Sequence, residues 1–172
     1  MRMKLLMLLL AMAHTLVSVA QTPEQNLDKL KIKLPPASAP VASYVNAVRT
    51  GNLVFLAGKG PKRDNGEYIT GRLGDNLTIE QGYEAARLTA VNQIAVLKDL
   101  LGDLGKVKRI VKVNGFVNST ADFIDQPKVI NGYSDLMIQV FGDKGKHART
   151  ALSVNALPFN MAVEVEMVVE VE

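Results

Sequence analysis

The chain has no cysteine. That excludes a disulfide staple, a lipid-attachment thiol and a cysteine nucleophile, so stability has to come from a packed core or from association. It also lacks an apolar run near the ~20 residues that span a bilayer. The amino-terminal run from Leu5 to Ala13 is too short and is followed by His14, Thr15 and Ser18. No basic cluster with interleaved aromatics is present, and no internal repeat is evident. The 172 residues suffice for one domain with a sizeable core.

What stands at the amino terminus has the layout of an export signal. "MRMKLLMLLLAMAHTLVSVAQ" places Arg2 and Lys4 before the apolar run, then small residues at Ser18 and Ala20 ahead of Gln21. Residues 1–20 are therefore read as a signal peptide, with an uncleaved anchor as the alternative. The mature protein is expected to be exported, periplasmic or secreted, without stable membrane association. Without Arg2 and Lys4 the Lys+Arg count falls from 20 to 18 against 17 Asp+Glu, which removes most of the formal charge of +3. A near-neutral chain pulls weakly on phosphates, so no nucleic-acid partner is expected.

Residues 21–40, polar and ending in "LPPASAP", read as an arm or linker, with the folded domain at 41–172. Two strands, about Tyr44–Arg49 and Leu53–Ala57, flank a turn at Thr50-Gly51-Asn52. The stretch around Asn65-Gly66 is a loop. Thr78 and Gln81 form a capping-box pattern, and Ile79, Tyr83, Ala86, Ala90, Ile94, Leu97 and Leu101 recur at helical spacing up to Gly102. In the next strand Val107, Arg109, Val111 and Val113 share one side, Ile110 falls on the other, and Gly115 marks a bend or bulge. A second helix covers Pro127–Phe141, with Asn131-Gly132 awkward inside it. In "MAVEVEMVVEVE" the odd positions from Val163 to Val171 are apolar, while Glu164, Glu166, Glu170 and Glu172 face the other way. The pattern predicts an α+β layer, with two helices packed on one face of a single mixed sheet.

Arg149, in the strand-like run "KHARTALSVNALP", is the residue that asks for a partner. A charge entering a core is paired, at an edge, or binding something. Its two readings are an ion pair with Glu164 or Glu166, between strands or subunits, and a grip on a ligand. Glu164 by itself reads as a solvated strand residue and becomes a site candidate only together with Arg149. Tyr44 is either a half-buried hairpin aromatic or a ligand contact. His147, beside the arginine, is a secondary candidate, as proton donor or subunit contact.

Taken in order, "GNLVFLAGKGP", "LKDLLGDL", "VKVNGFVNS", "HAR" and "LPFNMAVEVE" resemble the RidA/YjgF family over residues 41–172, closest to a branch marked by "INGYSDL", "FGDKGKHAR" and "VEVE". The resemblance implies a chorismate-mutase-like α+β fold, a homotrimer, and clefts between subunits that take small carboxylated metabolites. It also implies hydrolysis of reactive enamines and imines of the 2-aminoacrylate type to 2-keto acids and ammonia, with no metal or organic cofactor. By the same resemblance Arg149 binds the carboxylate, Glu164 orients a water, and Tyr44, Gly58 and Asn131 line the cleft. Two positions depart from the family pattern: Ala57 stands where a serine is frequent, and Ala151 where many members have a cysteine. Their loss could change the ligand, or leave a binding protein without the deaminase activity.

Physically the chemistry needs few parts. A planar guanidinium holds a carboxylate bidentately and so orients the adjoining C=N carbon, while a carboxylate positions or deprotonates the attacking water. Protein recovered from an exporting host is expected to begin at or near Gln21, as amino-terminal sequencing would show; an intact Met1 on soluble, functional protein would remove the export reading.

Overall fold

The computed structural model describes residues 21–40 and 42–172. The signal-peptide reading of residues 1–20 lies outside the described residues. The fold is built on a five-stranded mixed sheet, in which β1 (Ala47–Thr50), β2 (Leu53–Lys59), β3 (Val107–Asn118), β4 (Ala148–Val154) and β5 (Val163–Val171) lie in the order β1-β2-β5-β3-β4. Only β3 and β4 run parallel. β5 is central, and its strict alternation shows why. Val163, Val165, Met167, Val169 and Val171 are buried, while the residues between them face the other side.

Two long helices cover that buried face. α2 (Ile79–Leu101) opens on the expected capping box, with the Thr78 side chain accepting from Gln81 N and the Gln81 side chain accepting from Thr78 N, and it ends at Gly102 with φ 70°. α3 (Gln126–Phe141) lies against α2 and reaches the sheet through Tyr133, whose hydroxyl meets Met167 Sδ at 3.1 Å. The apparently awkward Gly132 turns out to be a requirement of this packing. A Cβ there would collide with the backbone carbonyl of Tyr83 and come within 3.1 Å of Arg87 N. The helices touch backbone to backbone at that point, which only glycine permits.

Three expectations are corrected. The segment read as an arm or linker contains α1 (Pro23–Lys29), capped by Thr22 and Gln25 and docked on the body of the domain. Leu27 is buried, Asn26 Nδ2 donates to Val140 O at 2.9 Å, and Glu24 accepts from Lys98 Nζ at 2.8 Å and Leu104 N at 2.9 Å. Within the helix Leu27 and the polar anchors Asn26 and Glu24 do the docking, and Leu30, Ile32, Leu34 and Ala37 after it also pack against the core. In β3, register irregularities between Val107 and Arg109 and between Ile110 and Lys112 break the period of two. Val107, Ile110 and Val113 therefore enter the core, whereas Arg109 is exposed. Gly115 is not a bulge: it pairs regularly with Ala151 and Val165, and its missing side chain leaves room for Ile130, whose Cδ1 would lie 2.7 Å from a Cβ.

Strand boundaries matter for the site. β1 begins at Ala47, which leaves Tyr44 in the preceding loop at 44% exposure, and β2 runs on to Lys59 through an irregularity after Leu56. Gln93 of α2 fills that irregularity, donating through Nε2 to Val165 O at 3.0 Å and Ala57 O at 3.3 Å. Substituting Gly132→Ala is expected to destabilise the fold by about 1–3 kcal/mol, the usual cost of overpacking, and more if the backbone cannot move. Chemical denaturation would measure it, and an unchanged midpoint would refute the backbone contact.

Candidate active site

The predicted site residues fall into two groups. The first surrounds Arg149 on β4. Its neighbour in the ladder is buried Val113, which directs the side chain toward α3. There Nη1 donates to Asn131 Oδ1 at 2.9 Å and Ser134 Oγ at 3.0 Å, and Nη2 to Pro127 O at 3.4 Å. All three acceptors are neutral. Among the described residues no carboxylate forms a salt bridge with Arg149, and Glu166 instead accepts from Asn114 Nδ2 at 2.9 Å. The ion-pair reading within one chain is therefore not what the structure contains. Of the five guanidinium donors, Nε–H and one Nη2–H have no partner among the described residues.

His147 belongs to this group through Ser134, which sequence reading missed. His147 Nδ1 lies 2.7 Å from Gly145 O, a pure acceptor, so Nδ1 carries the proton. Nε2 is then free to accept from Ser134 Oγ at 3.0 Å while that oxygen accepts from Arg149. Burial lowers the imidazole pKa, the bond to Gly145 O works against this, and the nearby guanidinium lowers it further. A neutral His147 thus completes a directed chain of hydrogen bonds behind the arginine. Ser134 was legible in principle, because it lies three residues after Asn131 on the same face of α3.

The second group surrounds Glu164 on the outer face of β5, opposite Phe116. A cavity of about 100 Å³ is lined by Glu164, Tyr44 and Gly58 together with Lys59, Tyr68 and Phe159. Gly58 is glycine because a Cβ would fall on Glu164 Oε1. Burial raises the Glu164 pKa, and the charge of Glu166 raises it further. Tyr68 is also shifted up, by burial first and then by Tyr44 and Glu164. Its ring stacks on Phe159 at 5.5 Å, nearly parallel. Phe159 and Asn160 both adopt left-handed backbone, φ 55° and 54°, a strained pair held by Asn118 Nδ2, which donates to Asn160 Oδ1 at 3.1 Å and Met161 O at 3.2 Å.

Within one chain the two groups do not share a cavity, because Arg149 points to the helix side of the sheet and Glu164 to the other. Among the described residues there is no group of three or more His, Cys, Asp or Glu suited to hold a metal, and no helix long and apolar enough to cross a membrane.

A family profile described as "YjgF/chorismate mutase-like, putative endoribonuclease" matches residues 24–171. The chain belongs to this family. The match takes in α1, beyond the range in which the resemblance was read. Protein TCP17 of Trypanosoma cruzi is 48% identical over 84% of this chain and 91% of its own length. A 2-iminobutanoate/2-iminopropanoate deaminase of Dermatophagoides farinae is 31% identical over 82% and 95%. A crystal structure from Shewanella oneidensis, described as a "putative endoribonuclease", superposes with a TM-score of 0.85 at 32% identity, covering 88% of this chain and all of the other.

The raised Glu164 pKa makes a stability prediction. A carboxyl whose folded pKa exceeds its unfolded one binds its proton more tightly when folded. Its contribution is fully present below the ordinary carboxylate value of 4.5 and is lost as pH rises through the folded value. Glu164→Gln should therefore raise Tm relative to the parent at pH 7 and leave it nearly unchanged at pH 4. Parallel melts would read this, and a lower Tm at pH 7 would contradict a buried, unpaired carboxylate.

Proposed function

We propose that the protein hydrolyses small reactive enamines and imines of the 2-aminoacrylate type to 2-keto acids and ammonia, in a cleft completed by a neighbouring copy of the chain in a homotrimer. The observation that carries the reading is Arg149. It is half-buried, held by three neutral oxygens, and keeps Nε–H and one Nη2–H without partners among the described residues, donors of the kind that take a carboxylate. A relative at 31% identity that is a 2-iminobutanoate/2-iminopropanoate deaminase supports the same chemistry.

In this reading Arg149 holds the substrate carboxylate and thereby fixes the imine carbon. Glu164, ionised and facing the cavity with Tyr44 and Gly58, takes a proton from water as its oxygen bonds to that carbon. The proton held by Glu164 then passes to the nitrogen, the C–N bond breaks as the hydroxyl oxygen gives up its proton and becomes the carbonyl of the 2-keto acid, and the nitrogen leaves as ammonia. The substrate is intrinsically labile, so positioning supplies most of the acceleration. A neighbouring subunit is needed to bring Arg149 to Glu164. The face of the sheet turned away from the helices supports this, since it carries Val48, Phe55 and Leu152, each about half exposed, beside Asn114 and Glu166.

A non-catalytic carboxylate-binding role is the second reading, carried by Ala57 and Ala151. Ala151 packs against the core, so any polar group lost there leaves the hydrogen bonds of Arg149 intact. A nucleic-acid substrate is disfavoured by the lack of a basic cluster with interleaved aromatics.

Arg149→Lys should weaken binding of pyruvate-like acids by ~1.5–3 kcal/mol, because the charge stays but the two-pronged geometry goes. Glu164→Gln should spare binding and slow 2-aminoacrylate breakdown by ~10²-fold. Calorimetry and an imine-hydrolysis assay separate the two variants, and light scattering should give three times the chain mass. Binding of such acids without any imine breakdown by the parent would favour the second reading. A monomer at micromolar concentration would dismantle the shared cleft.

A further inference from the structure

Lys59 is 7% exposed and has no carboxylate within salt-bridge distance among the described residues. Its ammonium donates to Asn46 Oδ1 at 2.6 Å, and Asn46 Nδ2 is itself anchored to Ser38 O at 2.8 Å. A buried cation with only a neutral partner is costly, and the cost is relieved by an anion or by loss of the proton. Lys59 lines the same cavity as Glu164, and so does Lys62. Lys62 lies 6.0 Å from the centre of the Tyr68 ring, which is too far to neutralise it. Burial pushes the Lys59 pKa down and the charge of Lys62 adds to this; Glu164 borders the same cavity, but neither lysine forms a salt bridge with it among the described residues.

The cavity does not end there. Ser38 and Lys62 also border a second, larger groove of about 480 Å³ between the segment at Lys33–Ser38 and the loop at Lys62–Gly66. Its charged lining is Lys33, Lys62 and Arg63 against one acid, Asp64. The direction from Glu164 toward this groove is thus cationic.

We propose that Lys59 and Lys62 form a second anion subsite, so that the cleft takes imino acids carrying a further acidic group at the end of a short side chain. This rests on the reading of the cleft given above and names its substrate class. Arg149 of a neighbouring copy holds the 1-carboxylate, Glu164 faces the imine carbon, and the two lysines receive the distal acid. The same reaction then releases a 2-keto diacid and ammonia. Aromatic surface from Tyr68 and Phe159 lines the side chain between the two anionic ends.

The matched probes are 2-oxoglutarate and 2-oxopentanoate, equal in carbon count and differing only in the distal carboxylate. Calorimetry on the purified protein should show 2-oxoglutarate binding about tenfold or more tightly than 2-oxopentanoate, a gain of ~1.4 kcal/mol. Lys59→Met keeps the bulk of the buried side chain, and Lys62→Gln alters a partly exposed residue. Each should bring the ratio of the two affinities close to one. Circular dichroism checks folding, and Lys62→Gln retains the test if Lys59→Met fails to fold. Equal binding of both acids by the parent, or a ratio that survives both substitutions, overturns the subsite while leaving the imine chemistry standing. Failure to bind either acid overturns the subsite and the reading of the cleft together.

Discussion

The contact on which the rest depends is the meeting of two helix backbones at Gly132. Because α3 can settle there onto the Tyr83 carbonyl of α2, its Tyr133 reaches Met167 on the central strand and its Ile130 enters the space left by Gly115. The residues either side of Gly132 are then fixed in place. Asn131 and Ser134 stand against β4, where the Arg149 guanidinium finds them. A helix pair held at ordinary side-chain distance would leave that arginine without its two best acceptors. Packing at a glycine and orientation of a cation are one event in this fold.

Among the described residues, buried charge without a direct salt bridge runs through the molecule's two polar groups, although Asp135 lends Arg149 some opposite charge. Arg149 rests on neutral oxygens, Lys59 on an asparagine, and Glu164 on no cation that lowers its pKa. Each is half-buried or more, and each would be better solvated outside. Structural ion pairs look different in this chain: Lys98 with Glu24, Lys128 with Asp125 and Lys146 with Asp143 are direct and partly or largely exposed. Uncompensated charges in concave surroundings store a preference for a ligand of opposite sign or for a proton. The left-handed Phe159 and Asn160 add backbone strain at the same end of the sheet, stabilised by buried Asn118 and by stacking on Tyr68.

Much of the architecture could be read from local pattern. The Thr78 capping box, the helical spacing up to Gly102 and the alternation from Val163 to Val171 each follow from one segment's own geometry, and the structure has them where the pattern puts them. The α1 helix was missed because its seven residues hold one buried leucine and polar anchors to distant residues, too short a run for an apolar period, while Leu30, Ile32 and Leu34 pack on the core from the extended segment after it. The faces of β3 were misread because two register irregularities each shift the alternation by one, and nothing in "VKRIVKV" announces them. Tyr68 and Lys62 escaped notice as candidates because loop composition gives no hint of what a loop packs against, and Lys59 because nothing local to the end of β2 announces that its ammonium is buried.

Residue type and spacing by themselves determined that the chain forms helices and strands of an α+β layer, that β5 has one apolar and one acidic face, and that Arg149 demanded an explanation. These are short-range consequences of side-chain period, capping chemistry and the cost of burying charge. Only the tertiary structure decided which groups answer that demand. It placed Arg149 against Asn131 and Ser134 rather than Glu164, set Glu164 over Gly58, and left Lys59 buried without a salt bridge among the described residues. Those outcomes depend on strand order and helix contact between residues far apart in the chain, where a displacement of one residue in register changes the face a side chain occupies.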